Sequence, residues 1–146
     1  MNIVEKIACA AALPIILVFA APMSFARTAT VHVTLEGEAG GTMALKVDKP
    51  TIPAGNVDFD VSNAAYGTEH EMVLVKVKSK DAKLPMIKDA DRIDEKKLKS
   101  LGEVADLGGG KSGHLKVKLA PGNYVLFCNI KGHYMAGMHA PLTVIR

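Results

Sequence analysis

Eleven residues near the C-terminus restrict this chain more than any other stretch: Cys128-Asn129-Ile130-Lys131-Gly132-His133-Tyr134-Met135-Ala136-Gly137-Met138. They set a thiol, an imidazole and a thioether at Cys-x4-His-x4-Met spacing. Apolar, strand-prone runs lie on both sides, Tyr124-Val125-Leu126-Phe127 before and Leu142-Thr143-Val144-Ile145 after. A loop this short between two strands brings all three side chains to one end of a sheet. Gly132 and Gly137 give the backbone the freedom to turn tightly around them.

The other end of the chain bears on the meaning of Cys128. Ile7 to Ala21 is almost unbroken apolar sequence, followed by Ser24-Phe25-Ala26. Residues 1–26 are expected to be a secretory signal peptide cleaved after Ala26. The apolar run falls short of the ~20 residues of a membrane span and contains Pro14, so stable membrane insertion is not expected. Residues 27–146 then form one domain, placed in the periplasm. Cys9 leaves with the leader, and Cys128 stands alone in an exported chain. A lone thiol there is buried, paired between chains or bound to metal, and its His and Met neighbours favour metal. The formal net charge is only +3, there is no Trp, and the lysines are spread along the chain, so nucleic acid is not an expected partner.

Between these ends the pattern is that of strands. Val31, Val33 and Leu35 alternate with polar residues, as do Met43, Leu45 and Val47, then Val57, Phe59 and Val61. Thr51 to Gly55 reads as a turn. Asn63 to Thr68 is a loop leading to His70, which opens the apolar run Met72 to Val77. Leu115, Val117 and Leu119 alternate again, and the dense Tyr124 to Phe127 run implies burial on both faces. Lys78 to Gly110 differs, being rich in Lys, Asp and Glu. Ile93, Leu98, Leu101 and Val104, with Asp91 as a cap, predict one short helix within it, on a long excursion with a solvated charged face. The fold expected is all-β: a Greek-key antiparallel β-sandwich of seven or eight strands, with one short helix in a long insertion.

A thiolate, two imidazoles and a weak thioether are the ligands of a mononuclear type 1 (blue) copper centre. Cys128, His133 and Met138 supply three, and His70, at a strand start, closes the set. The bland alternative makes Cys128 a core thiol, His133 a surface residue and Met138 plain packing. Structural zinc sites use Cys and His without Met. Met135 and His139 are weaker candidates for the axial position, and His32 and His114 lie on the polar parity of their strands, as surface residues do. Asn63 and Asn129 are candidates to hold the ligand loops together through hydrogen bonds, or simple loop caps.

The His70-Glu71-Met72-Val73-Leu74 segment, followed by Tyr124 to Met138 with its Cys128, His133 and Met138, resembles the cupredoxins, the plastocyanin/azurin family. Ile52-Pro53-Ala54-Gly55 is similar to the family as well. The resemblance spans most of residues 28–146. It implies a copper cofactor, ligand roles for His70, Cys128, His133 and Met138, and no enzymatic activity. It further implies a monomer shuttling single electrons, with a cytochrome or oxidase as transient redox partner. The acidic Glu69 and Glu71 beside His70 leave room for copper delivery or resistance as the alternative use of the same site.

Overall fold

A computed structural model describes residues 27–146; the expected signal peptide lies outside the described residues. Two sheets face one another. The first has the order β2-β1-β4-β9, from β1 (Ala29–Glu36), β2 (Ala44–Val47), β4 (Gly55–Asn63) and β9 (Ser112–Leu119). The second has the order β3-β11-β10-β5-β8, from β3 (Thr51–Pro53), β5 (His70–Val77), β8 (Ser100–Leu107), β10 (Gly122–Phe127) and β11 (His139–Ile145). The segment read as a turn, Thr51 to Gly55, contains β3, which adds to the edge of β11. Two pairings are parallel, β1 with β4 and β3 with β11, so each sheet is mixed rather than purely antiparallel.

Alternation places the core where the sequence put it. Val31, Val33, Leu35, Val57, Phe59 and Val61 point inward from the first sheet, and Met72, Leu74, Tyr124, Leu126 and Leu142 from the second. A second apolar cluster lies on the outer face of the second sheet, where Val73, Val75, Val125 and Phe127 pack against Leu84 and Ile93 of the 78–99 segment. That explains the unbroken apolar runs of β5 and β10, which are buried on both sides. The 78–99 segment is therefore a cover with an apolar underside, not a purely solvated excursion.

The expected helix does not form. Among residues 91–105 the only helical turn is a single 3-10 turn, Glu95–Lys97, between β7 (Arg92–Ile93, paired with β6, Met86–Ile87) and the first part of β8. Irregular pairing misled the reading. Leu74 lies opposite Gly102 and Val75 opposite Ser100, so one step along β5 matches two along β8 and Leu101 is the extra residue. Such a bulge turns Leu101, three before the buried Val104, toward the core, which imitates a helical period. Asp91, expected as a helix cap, instead sits at φ +49 in the turn before β7.

The two sheets close against each other along β8 and β9 through glycine. A Cβ on Gly102 would lie 2.6 Å from Leu115 Cδ1, and one on Gly113 would lie 2.5 Å from Val104 Cγ1. Phe59, fully buried between the sheets, is among the largest side chains in the core. Phe59→Ala is expected to cost about 3–5 kcal/mol, a large share of a single domain's stability, read as a lower urea midpoint at unchanged slope.

Candidate metal centre

β5 and β10 are antiparallel neighbours, with Phe127 opposite Val73. The start of β5 and the end of β10 therefore meet at one rim of the sandwich. His70 is the first residue of β5, Cys128 follows β10, and Met138 immediately precedes β11, the other neighbour of β10. The loop between them is wound tightly by backbone bonds from Ala136 N to Gly132 O, Gly137 N to Tyr134 O and Met138 N to His133 O, and is closed by Cys128 N to Met138 O at 3.0 Å.

This folding draws three donors together. His70 Nδ1 lies 3.2 Å from His133 Nδ1, which lies 3.4 Å from Cys128 Sγ. Separations of this size are those of donors sharing one ion at bonds of about 2.0–2.3 Å. His70 and Cys128 are fully buried and His133 nearly so. Met138 is fully buried as well, and its backbone is tied to both Cys128 and His133. His32 and His114 are exposed, paired with Asp60 and Asp58 on the outside of the first sheet. Met135 is 68% exposed. His139 is exposed, its ring stacked against Tyr134 with centroids 4.7 Å apart.

The surroundings prepare these groups for a cation. His70 Nε2 lies 3.1 Å from the carbonyl oxygen of Gly37. A carbonyl only accepts, so Nε2 carries the proton and Nδ1 presents its lone pair to the centre. Burial, then the nearby His70, lowers the pKa of His133, which favours the neutral imidazole that a metal requires. Burial pushes the Cys128 thiol up to about 11, against backbone N–H bonds from Glu71 and Ile130 to its sulfur. An entering metal therefore displaces a proton from sulfur, and the same two amides stabilise the resulting thiolate.

Glu71 joins the two ligand segments. Its carboxylate accepts the Asn129 backbone N–H at 2.9 Å, directly after Cys128. Burial raises its pKa, partly offset by that bond. The Asn129 side chain reaches the other way: Oδ1 accepts from Ile93 N at 2.6 Å, and Nδ2 donates to Ile93 O and to Glu95. Arg92 Nε donates to Asn129 O and Gly132 N donates to Asp91 O, so the 78–99 segment is bolted onto the ligand loop. Asn63 donates to the Thr68 and Leu107 carbonyls and accepts from Ala65 N, which shapes the loop leading to His70.

Gly40-Gly41 marks the β1–β2 turn in the sequence, but not what that turn reaches. Gly37, at φ +108, has no room for a Cβ, which would lie 2.5 Å from Thr42 O. Beyond it, Glu38 accepts from Tyr66 N and from the Thr68 hydroxyl, and these bonds lower its pKa. Met43 N donates to Ala136 O, and a Cβ on Gly137 would lie 2.8 Å from Met43 O. One turn thus touches the His70 ring, the loop before it and the loop carrying His133 and Met138. Gly37 and Gly40-Gly41 are its local signals, and none of them announces these contacts.

The donor set fits copper: two imidazoles and a thiol facing one another, with a buried thioether in the same loop as the thiol. The family model of the copper-binding proteins of the plastocyanin/azurin family matches residues 31–145, and the chain belongs to that family. It has no significant match among curated proteins. Among solved structures it is similar to auracyanin B, with 27% identity, 83% of this chain and 91% of that chain covered, and a TM-score of 0.58. Dithionite-reduced auracyanin from the photosynthetic bacterium Roseiflexus castenholzii matches at 23% identity over 83% of this chain and 99% of that one, TM-score 0.58. Rusticyanin from Thiobacillus ferrooxidans shares the fold at 19% identity over 81% of this chain and 77% of that one, TM-score 0.58. The fold is thus cupredoxin-like and essentially free of helix, and copper is the metal of the family.

Asn129→Ala removes three hydrogen bonds between the ligand loop and the cover, two of them buried. A loss of about 1–3 kcal/mol is expected. Hydrogen exchange should show faster opening of residues 86–97 than in the wild type, while the β1–β4 amides keep their protection.

Proposed function

We propose that this chain is an exported, periplasmic type 1 copper protein that carries single electrons between redox partners. His70, Cys128, His133 and Met138 are its ligands. The observation that carries the reading is the buried trio of facing donors, His70, His133 and Cys128, with the His70 tautomer set by Gly37. When bound, copper supplies one-electron chemistry by alternating between Cu(II) and Cu(I). The chain's part is to hold the donors so that this change needs little rearrangement. The Gly37 carbonyl orients His70, the Glu71 and Ile130 amides stabilise the sulfur, and the turns of the loop hold His133 and Met138 in place. Burial excludes water from Cys128, which protects the thiol from oxidation. It also argues against ready release of the ion, and so against copper delivery.

His133, the ligand nearest solvent, is the electron port. Met135, 68% exposed and two residues after His133, offers an apolar contact suited to brief docking. Of the exposed large apolar residues, Met135 is on the ligand loop, Tyr66 on the loop before His70, and Met86 and Ile87 on the hairpin tied to Asn129. The 78–99 segment carries seven lysines and Arg92 against five acids, and Lys131 adds another cation in the ligand loop. These charges favour an acidic partner such as a cytochrome or an oxidase domain. Residues 1–26 serve as the export signal, and no helix among the described residues is long and apolar enough to cross a membrane.

The visible spectrum of the copper-loaded protein tests this reading. An intense thiolate-to-copper charge-transfer band is expected, and Cys128→Ser should abolish it while the far-ultraviolet circular dichroism stays that of a folded sandwich. Colour that survives Cys128→Ser would overturn the ligand assignment. Absence of the band together with easy loss of copper to a chelator would instead favour delivery. Met138→Gln should retain copper but lower the reduction potential measured by voltammetry, because an amide oxygen is harder than a thioether and favours Cu(II).

A further inference from the structure

We infer that the outer face of the β2-β1-β4-β9 sheet carries a second cation site, built by His32, Asp60 and His114 and taking one divalent first-row ion such as Zn2+ or Cu2+. The site lies apart from Cys128. Val31, Val33, Phe59 and Val61 point into the core, and their strand neighbours His32, Asp58 and Asp60 point to solvent.

Register brings the three residues together. His32 on β1 is directly opposite Asp60 on β4, and Asp60 is directly opposite His114 on β9. The two imidazoles therefore flank one carboxylate, on backbones about 10 Å apart across two strand spacings. His32 Nδ1 lies 3.1 Å from Asp60 Oδ2, and His114 Nε2 lies 3.7 Å from Asp60 Oδ1. The other His114 nitrogen, Nδ1, lies 3.2 Å from Asp58 Oδ1.

Hydrogen bonding satisfies both His114 nitrogens only in the imidazolium form, which donates from each of them. A neutral imidazole has one N–H and one lone pair. His114 turns both ring nitrogens toward carboxylates, so in its neutral form one of them sets a lone pair against an oxygen. Lys116 Nζ stands 3.9 Å from Asp58 Oδ2 and makes no ion pair with Asp60. Asp48, whose carboxylate accepts the His32 backbone N–H at 2.8 Å, is paired with Lys49 at 3.3 Å. A cation above Asp60 replaces the opposed lone pairs with bonds. Both histidine side chains are 57% exposed and free to rotate onto it, while the three strands beneath hold their backbones in place. Two imidazoles and a carboxylate, with water completing the shell, suit Zn2+ and Cu2+.

Metal equivalents distinguish a site from a set of surface ion pairs. The wild-type protein and the His32→Gln/His114→Gln variant are each titrated with Zn2+ and, separately, with Cu2+ by calorimetry. The wild type should bind one equivalent more of each than the variant, and Asp60→Asn should weaken that equivalent at least tenfold. The additional Cu2+ should give a paramagnetic resonance signal without any thiolate charge-transfer band. Equal stoichiometry in wild type and double variant would overturn the site, as would an additional equivalent unaffected by Asp60→Asn. All three residues are exposed or half-exposed, and circular dichroism confirms that the variants fold. Failure of the Cys128 copper reading would show as a missing charge-transfer band and leave the difference in equivalents unchanged.

Discussion

Two imidazole nitrogens and a sulfur face one another at 3.2–3.4 Å inside the rim of this sandwich, and much of the surrounding structure keeps them there. Donors aimed at a common point, away from water, are unfavourable until a proton or cation lies between them. A flexible loop would turn them outward to solvent. Here the pairing of β5 with β10 fixes two of the backbones, and short backbone bonds wind the loop that carries the third. The Gly37 carbonyl leaves His70 one useful tautomer. Donors held in place in this way gain affinity when the right ion enters, because little ordering remains to be done.

The support comes from segments remote in sequence. The β1–β2 turn reaches across to the His70 ring, to its preceding loop and to the ligand loop at Ala136 and Gly137. From the opposite side the 78–99 segment covers the outer face of the second sheet and receives Asn129 as a peg. The cover thus has two linked roles. It buries Val73, Val75, Val125 and Phe127, and it restrains the residue that follows the cysteine. Its own surface carries the positive charge and the exposed Met86 and Ile87 that a docking partner would meet. Burial of the outer sheet face and restraint of the ligand loop are coupled through one side chain.

Much of this was legible without coordinates. Period-two alternation marked the strands with single-sided burial, and an unbroken apolar run marked β10 as buried on both sides. The Cys-x4-His-x4-Met loop named its own chemistry, because few other roles suit a lone thiol beside an imidazole and a thioether. The helix expected near Asp91 failed because a bulged strand spaces its buried residues by three. Period analysis cannot tell that from a helix when the partner strand is unknown. The parallel pairings of β1 with β4 and of β3 with β11 were hidden for a related reason, since alternation reports which face is buried and not which neighbour lies alongside.

The amino-acid sequence by itself determined the donor types, the tight loop that groups three of them, and the two-faced strands that make a sandwich of these residues. These are local properties of side-chain chemistry and spacing. Tertiary structure alone decided the rest. Only pairing across the sheets could bring His70 to Cys128, assign its proton to Gly37, or place Glu71 against Asn129 N–H. Only strand register could set His32, Asp60 and His114 in one row. Such contacts join residues tens of positions apart, and their geometry is set by which strands become neighbours, a property of the folded whole that no window of sequence contains.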